Sequence, residues 1–475
     1  MLKKLLVLMI AAALLLTMAA CTDTSGRNPS SNPGSDTADE FEPTSKTIRV
    51  AFNGGWWEDD AKYNFVFDDF KAKYPEYTVE RMENITSTED LLASIQAGNP
   101  PDFWLSNDGN SAGYPSTTYG GYLQSLSNYL EKDTDVNLSN MDENLMSMLK
   151  FLDGNYYGLP YKTSHLCLVY NKKIFEQNGL DKNNPPSTWD EMYETAKKLV
   201  VTDSAGKATQ IGFSVNGTEG PYAYQMLPTL KKSDLDEYGL WSRHSEKYVQ
   251  DVMEYCSKFS DLIDNKLPSE VNFSFAEGNT GMAIASLSQL TTFTSANIDF
   301  GIAPLPIAPG MDESVIYSYI WQYVGIPTGA KNPNGGWLFC KYVVTDVLQS
   351  LTKIDLTEHP KSAVPDYIAH KPTMEKIDTL YASTLNATTK AIYDQRNKIM
   401  EESALYTAPG TPIHPTLQTL SEEMDLKRRR EGLSYSDYLK ELGTKYDAEL
   451  KIWIETMKAQ GWQFPEGAAP IPPSK

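Results

Sequence analysis

The chain is poor in the residues that build metal centres and covalent staples. It carries four cysteines and five histidines in 475 residues. No Cys-x-x-Cys pair, Cys/His cluster or His-Glu-x-x-His segment occurs, which argues against zinc-site chemistry, and no metal or other cofactor is expected. Beyond Cys21 only Cys167, Cys256 and Cys340 remain. Three cannot all pair within one chain, and their apolar neighbours (HLCLVY, MEYCSKF, WLFCKYV) predict buried thiols rather than a disulfide. Positive charge is also short: the formal net charge is −20, so nucleic acid and anionic membrane surfaces are poor partners. No Ser-His-Asp or phosphate-loop signature appears. Glu58, Asp59 and Asp60 are adjacent, but a glycosidase needs two carboxylates set across the bond it cleaves, which adjacency does not provide. EKDTDVN has Asp133, Asp135 and Asn137 at part of a calcium-loop spacing, yet lacks the glycine and terminal Glu, so a helix-end turn is expected.

The N-terminus reads MLKKLLVLMIAAALLLTMAAC. Lys3 and Lys4 precede an apolar run from Leu5 to Met18 that is too short and wrongly flanked for a membrane span, so residues 1–20 read as a secretory signal peptide. Ala19, Ala20 and Cys21 resemble a bacterial lipobox. That resemblance implies cleavage before Cys21 and its acylation by diacylglyceryl and palmitate-type chains. The body would then be anchored through lipid to the extracellular face of the cell membrane. Residues 22–45, rich in Ser, Thr, Asn, Pro, Gly and Asp, bury too little to offset their ordering entropy and read, with Cys21, as a lipidated flexible linker.

What the body has in quantity is aromatic surface, nine Trp and 28 Tyr, more than a core of this size needs and suited to a sugar-binding face. The oddest stretch is FNGGWWEDD at 52–60, a tryptophan pair in a loop of glycines and acids. It follows KTIRVAF, whose alternating Ile48, Val50 and Phe52 predict a strand. AKYNFVFDDFKAKYP has helical spacing and stops at Pro75, YTVERME is a second strand, STEDLLASIQAG a capped helix and DFWLS a third strand. HLCLVYNKKIFEQNG reads as strand into helix, and in STWDEMYETAKKLV Thr188 is a candidate N-cap with Glu191 reciprocal to it. QIGFSVNG, GMAIAS and IDFGIAPLPIAPG are further strands, and residues from about 371 to 463 look mostly helical. KRRR at 427–430 reads as a solvated patch on a helix. The alternation predicts an α/β protein on a largely parallel sheet.

On these motifs the chain resembles the carbohydrate-binding solute-binding proteins of ABC importers, the group that includes maltose-binding protein. NPPDFW fits the family's Pro-Asp strand, and GGYLQSLSNYL its Gly-Leu helix start. YYGLPYKTSHLCLVYNKKIF fits its Leu-Pro, apolar strand and Tyr-Asn-Lys, and PPSTWDEMYETAKKL its Pro-x-Thr-Trp-Glu helix. FAEGNTGMAIAS fits its Gly-x-x-Ala-Met segment with Gly281 in place of Ala. FGIAPLPIAPG and GIPTGAKNPNGGWLFCKYVV follow in order, so the likeness covers residues 46 to about 350.

The resemblance implies a two-lobe, periplasmic-binding-protein-like fold of type II, with a ligand cleft between lobes and extra C-terminal helices. It implies crossings near 160–165, 302–306 and 345–350, with lobe 1 as 46–160 plus 305–347 and lobe 2 as 163–301 plus 350–475. Ligand would be held at the carboxyl ends of strands, captured by a hinge motion and passed by a monomeric protein to the transmembrane subunits of an ABC permease. A neutral oligosaccharide is the expected ligand. Flat rings for stacking and planar polar groups at the rim select Asn53, Trp56, Trp57 and Glu58 in the first loop, Asn107 and Asp108 after DFWLS, Tyr222 in GTEGPYAY, and Trp321 beside Tyr319 in YSYIWQYVGI. Ser286, Leu287, Ser288 and Gln289 stand where the family often has an aromatic, and His414 where it has an aromatic platform, which shifts the aromatic surface toward the first lobe. A surface carbohydrate-active enzyme and a peptide-binding or adhesion lipoprotein are the alternatives weighed against this reading.

Overall fold

The computed structural model describes residues 41–53, 60–107, 113–213, 226–263, 273–347, 349–351, 367–385, 387–406, 411–465 and 470–471. The signal segment, Cys21 and the linker up to residue 40 therefore lie outside the described residues, as do Trp56, Trp57, Glu58, Asp108 and Tyr222. The strands are β1 (Thr47–Phe52), β2 (Thr78–Arg81), β3 (Phe103–Ser106), β4 (Leu159–Asn171), β5 (Val201–Thr202), β6 (Ala208–Phe213), β7 (Thr280–Ser286), β8 (Phe300–Ala303), β9 (Val315–Gly325) and β10 (Ala404–Tyr406). They join in the order β2-β1-β3-β9-β4-β7-β6-β5, with β10 against β9 and β8 against β4.

At one end β2, β1 and β3 are parallel, joined by the helices α1 (Asp60–Lys73) and α2 (Thr88–Gln96) as the sequence alternation predicts. The sheet as a whole is mixed rather than largely parallel. Long strand β9 runs antiparallel to β3 and to β4, and β4 runs antiparallel to β7 and β8. Each of the two long strands is long enough to serve two groups of partners. Leu159 of β4 pairs with Val324 of β9, whereas Leu166–Tyr170 pair with β7.

The buried apolar residues follow this division. One cluster gathers Ile48, Val50, Phe52, Phe103, Leu159 and Val324 with Trp337 and Phe339 of the helix Pro333–Tyr342. A second gathers Leu166, Leu168, Trp189, Phe213 and Met282 with Tyr438 and Leu442. The opposite faces of the same strands carry further clusters, Ala51, Trp104 and Tyr323 on one part and Cys167, Val169, Ala283 and Ile302 on the other. Coverage on both faces explains why FWLS and TGMAIAS read as unbroken buried runs rather than alternating ones.

Helices α3 (Trp189–Lys198), α4 (Lys247–Ile263) and α5 (Pro333–Tyr342) complete the α/β part, and α6 (Lys371–Thr384), α7 (Ala387–Glu402), α8 (His414–Glu431) and α9 (Tyr435–Ala459) form the helical C-terminal part. Thr188 caps α3 by accepting from the Glu191 amide (3.3 Å), but Glu191 reaches back to the amide and hydroxyl of Ser187 (2.8 Å each), one residue earlier than the reciprocal box predicts. Gly281 has a steric reason: a Cβ there would lie 2.6 Å from Leu199 Cδ1 and 2.9 Å from the Gly212 carbonyl. Ile377 and Tyr381 of α6 pack into the first cluster, Ile392 and Ile399 of α7 into the third, and Leu417 and Leu450 of α8 and α9 into the second. In KRRR, Lys427 is paired across α8 and α9 with Glu441 (2.7 Å). All three described cysteines are buried and outside any disulfide.

EKDTDVN forms a helix-end turn. Asp133 Oδ1 accepts from the Asp135 and Val136 amides (2.9 and 3.0 Å), and Oδ2 accepts from Trp337 Nε1 and Lys341 Nζ (2.9 Å each). Burial pushes this carboxyl up, but the Trp337, Val136 and Lys341 hydrogen bonds outweigh it and hold the group below its ordinary value. Its two oxygens are thus occupied by protein donors that join the turn to α5. Asp133→Ala strands the Trp337 and Lys341 donors and is expected to cost roughly 2–4 kcal/mol, read as a lowered urea midpoint at unchanged m-value.

His165 on β4 faces Ser318 on β9 across the crossing. It is 1% exposed, and neither its ring nitrogens nor Ser318 Oγ has a hydrogen-bond partner. Burial first, and then the charge of Arg396, push its pKa down to about 3. The unfolded chain, at about 6.5, therefore binds that proton first. The stability contribution of the neutral ring is complete above about pH 6.5 and is lost as pH falls below it. Thermal melts from pH 7 down to pH 4 should show falling Tm, and His165→Gln should flatten part of that slope. His244 and His370, also lowered by burial, and the lowered carboxyl of Asp133 add to the same slope.

Candidate functional site

Because β1 and β3 are parallel neighbours, with Phe52 opposite Leu105, the chain leaves both at the same edge of the sheet. The Asn53 amide donates to the Leu105 carbonyl (2.9 Å), so the first residue after β1 is pinned beside the end of β3. Asn107 is the first residue after β3, so both asparagines stand at the carboxyl edge where open α/β sheets bind ligands. The sequence reading selected both residues.

β9 closes this edge from the other side. Its last ladder pair with β3 is Ser106 with Tyr323, which sets Gln322 next to Asn107. Gln322 Nε2 donates to Asn107 Oδ1 (2.6 Å). Gln322 is 3% exposed and its Oε1 is buried without a partner. Across the other ladder Gln322 pairs with Lys162 of β4, at a point where the register shifts on both sides of Lys162. Sequence reading took Trp321 and Tyr319 from this segment and passed over Gln322. The backbone of Trp321 lies in β9 beside Gln322, and the side chains of Trp321 and Tyr319 lie outside the described set. The available signal was strand position: a buried-strand amide beside a strand end has no reason in packing alone.

Behind the edge is a hydroxyl network that fixes β9. Tyr323 Oη and Thr117 Oγ1 are 2.9 Å apart, the Tyr114 ring meets Tyr323 edge-on at 5.2 Å, and Tyr114 Oη accepts from the Tyr157 amide (3.1 Å). Tyr114 and Thr117 belong to the short helix Tyr114–Tyr119. Ser286 and Gln289, which stand where an aromatic was expected, bond to each other: the Ser286 amide donates to Gln289 Oε1 (2.9 Å) and closes the turn after β7.

A second grouping brings together residue types absent from the sequence as a motif. Ser242 Oγ lies 2.7 Å from His244 Nδ1, and Asp234 Oδ2 lies 3.3 Å from His244 Nε2. The His244 ring is buried edge-on against Tyr446, and Ser242 also donates its amide to Asp447 of α9 (3.0 Å). Ser242 Oγ further accepts from the His244 amide (3.2 Å). The Ser242–Asp447 bond and the His244–Tyr446 ring contact staple the 234–244 loop to α9. Among the described residues no set of three or more His, Cys, Asp or Glu is placed to hold a metal ion, and no helix is long and apolar enough to cross a membrane.

Comparison with known proteins follows the same outline. The chain resembles the mannotriose-bound structure of CpMnBP1 at a TM-score of 0.65 and 21% identity, over 84% of this chain and 99% of that one. It resembles the sugar-binding protein MalE of Xanthomonas citri at 0.65 and 16%, over 86% and 99%. At these identities the likeness shows the fold, the two-lobe type II periplasmic-binding-protein-like architecture. A curated relative, the sn-glycerol-3-phosphate-binding periplasmic protein UgpB of Brucella abortus (strain 2308), is 29% identical over 171 residues, 33% of this chain and 38% of its own length. The chain thus spans about two fifths of the curated relatives it matches. The family described as bacterial extracellular solute-binding protein matches residues 54–349, more than half of the chain, starting one residue after Asn53 and running through β9 and α5. With its sheet order, the shared carboxyl edge of β1 and β3 and this match, the chain belongs to the bacterial extracellular solute-binding proteins.

Proposed function

We propose that the protein captures a neutral oligosaccharide outside the cell and delivers it to the transmembrane subunits of an ABC importer, acting as a binder and not as an enzyme. The observation that carries this reading is that Asn53 and Asn107 stand at one carboxyl edge, next in sequence to the segments that hold Trp56, Trp57, Glu58 and Asp108. Amides at a strand edge supply hydroxyl partners, and a tryptophan three or four residues beyond Asn53 supplies a face for a sugar ring. Tyr222 of the second proposed lobe and Trp321 beside a crossing complete the proposed contact set.

The proposed lobes are 46–160 plus 305–347 and 163–301 plus 350–475, although α6, which falls in the second range, packs against the first cluster. Two separate clusters on either side of the β4–β9 pair support that division, and hinge bending at the crossings is the proposed closing motion. Anchoring through acylated Cys21 and a monomeric state complete the proposal, with the tether ending at residue 40 rather than 45, because the Phe41 ring packs against Tyr129 (4.7 Å) and the Thr44 amide donates to Asn332 Oδ1 (2.9 Å). The carbohydrate ligands named for the structural neighbours support a saccharide, and the name of the curated relative puts sn-glycerol 3-phosphate into the same screen.

Thermal-shift screening of the purified protein against mono- and oligosaccharides, peptides and sn-glycerol 3-phosphate tests the reading. A ligand at 100 times its Kd should add about 2.7 kcal/mol of stability. Stabilisation by a peptide pool and by no saccharide would overturn it. Trp56→Ala or Trp57→Ala should weaken saccharide binding by about 1–3 kcal/mol, the range for losing a stacked ring, with affinity read by calorimetry. Unchanged affinity in both would place the aromatic platform elsewhere.

A further inference from the structure

Helix α9 carries one apolar stripe along its length, Tyr438, Leu442, Tyr446, Leu450, Trp453 and Met457, at steps of three and four residues. The stripe does not stay in one core. Tyr438 to Leu450 belong to the second apolar cluster, whereas Trp453 and Met457 leave it for a separate aromatic cluster around Tyr119. Gly461, at φ +92°, turns the chain back after the helix and brings Trp462 into that cluster. Tyr119 is its hub, buried with its ring 5.1 Å from Phe151, 5.0 Å from Trp453 and 5.1 Å from Trp462. Tyr119 and Phe151 fall in the first proposed lobe, Trp453 and Trp462 in the second, so these rings join the lobes without using the strand crossings. Tyr119 ends the helix Tyr114–Tyr119, whose Thr117 touches Tyr323, the neighbour of Gln322 at the candidate edge. The 234–244 loop reaches the same ring from the α9 side: burial first, and then the charge of Asp236, push the Tyr119 phenol up.

We infer that the end of α9 is a clasp between the proposed lobes, made on the ligand side of the β4–β9 crossing, which holds them closed and sets affinity without touching ligand. The helix is a suitable lever. It is seated by its first two-thirds in the second cluster, and at about 1.5 Å per residue it carries Trp453 and Met457 some 20–30 Å beyond Tyr438. Aromatic pairs attract only while their centroids stay within about 7 Å. Opening of the lobes by a few ångströms at this point therefore separates Tyr119 from Trp453 and Trp462 and wets all three rings. A protein whose binding arrangement is only partly populated binds more weakly by that fraction, so loss of the clasp raises Kd with every ligand contact intact. Tyr119, Trp453 and Trp462 are thus positioning residues. The inference rests on the two-lobe binding reading above, but its first readout needs no ligand.

The test uses the full soluble chain, with small-angle X-ray scattering of the ligand-free protein and calorimetric titration with mannotriose or the best saccharide from thermal screening. The double variant Trp453→Ala/Trp462→Ala should enlarge the ligand-free radius of gyration by about 1 Å, on about 22 Å for a compact chain of this size. It should also raise Kd at least fivefold. Tyr119→Leu, which leaves α9 untouched, should shift both quantities in the same direction, so the outcome does not hang on one variant folding. Trp453→Phe and Trp462→Phe, which keep a ring in place, should stay within twofold of wild type. Saturating saccharide should return the alanine and leucine variants to the wild-type radius, which mere fraying of the α9 end would not allow. Single cooperative melts establish that the variants fold. An unchanged radius in both the double variant and Tyr119→Leu overturns the clasp and leaves the binding reading standing. A larger radius at unchanged Kd overturns it too, because the clasped arrangement would then not be the one that binds. Failure of every saccharide to bind wild type overturns the saccharide reading, and the scattering comparison still decides the clasp.

Discussion

Pairing of β4 with β9 is the constraint on which the remaining architecture hangs. The two strands run antiparallel from Leu159 with Val324 to Leu166 with Tyr317. At one end they feed the β3–β1–β2 group, at the other β7 and β6. The first and second apolar clusters therefore share a spine without merging. Along that spine the buried side chains turn polar, with Thr163, His165, Ser318 and Gln322 in the stretch between apolar cores. A dry core joint would resist any relative movement, because interlocked side chains at crystal-like density have few alternative arrangements. Small hydroxyls and an unpartnered imidazole interlock less tightly.

The same pairing places the candidate site. β9 reaches the carboxyl edge only because its last pairs with β3 put Tyr323 against Ser106, and the hydroxyl contact between Tyr323 and Thr117 holds that register against the short helix Tyr114–Tyr119. Gln322 thereby inherits its neighbours on both sides, Asn107 through β3 and Lys162 through β4. Two ladders, each set by apolar burial elsewhere, bring three polar residues from distant parts of the chain to one place.

Local pattern made much of this legible. KTIRVAF, DFWLS and GMAIAS declare themselves by alternation or by short apolar runs, Thr188 by its cap chemistry, and the three cysteines by their apolar neighbours. Asn53 and Asn107 were selected because each directly follows a strand, and strand ends can be read one at a time. Long-range pairing was not legible in the same way. That the sheet is mixed follows from β4 and β9 serving two groups of partners, and neither stretch signals that on its own. Gln322 was missed for the same reason: its meaning lies in which residues oppose it, and a register between β3, β9 and β4 is not written in YSYIWQYVGI. Ser242, His244 and Asp234 are a second case, assembled by a loop folding onto α9 rather than by any spacing.

The three buried thiols have a use beyond packing. Cys340 lies in the first apolar cluster, Cys256 in the second and Cys167 in the third. Burial pushes the Cys167 thiol up to about 12 and raises that of Cys340 as well, so in the closed fold both stay protonated and slow to react. For a member of an extracellular family, which works in oxidising surroundings, no disulfide between two of these three thiols can form until two separate cores are open at once. Each thiol is also a built-in reporter for one core, and the order in which they react with a thiol reagent is the order in which the parts of the molecule come undone.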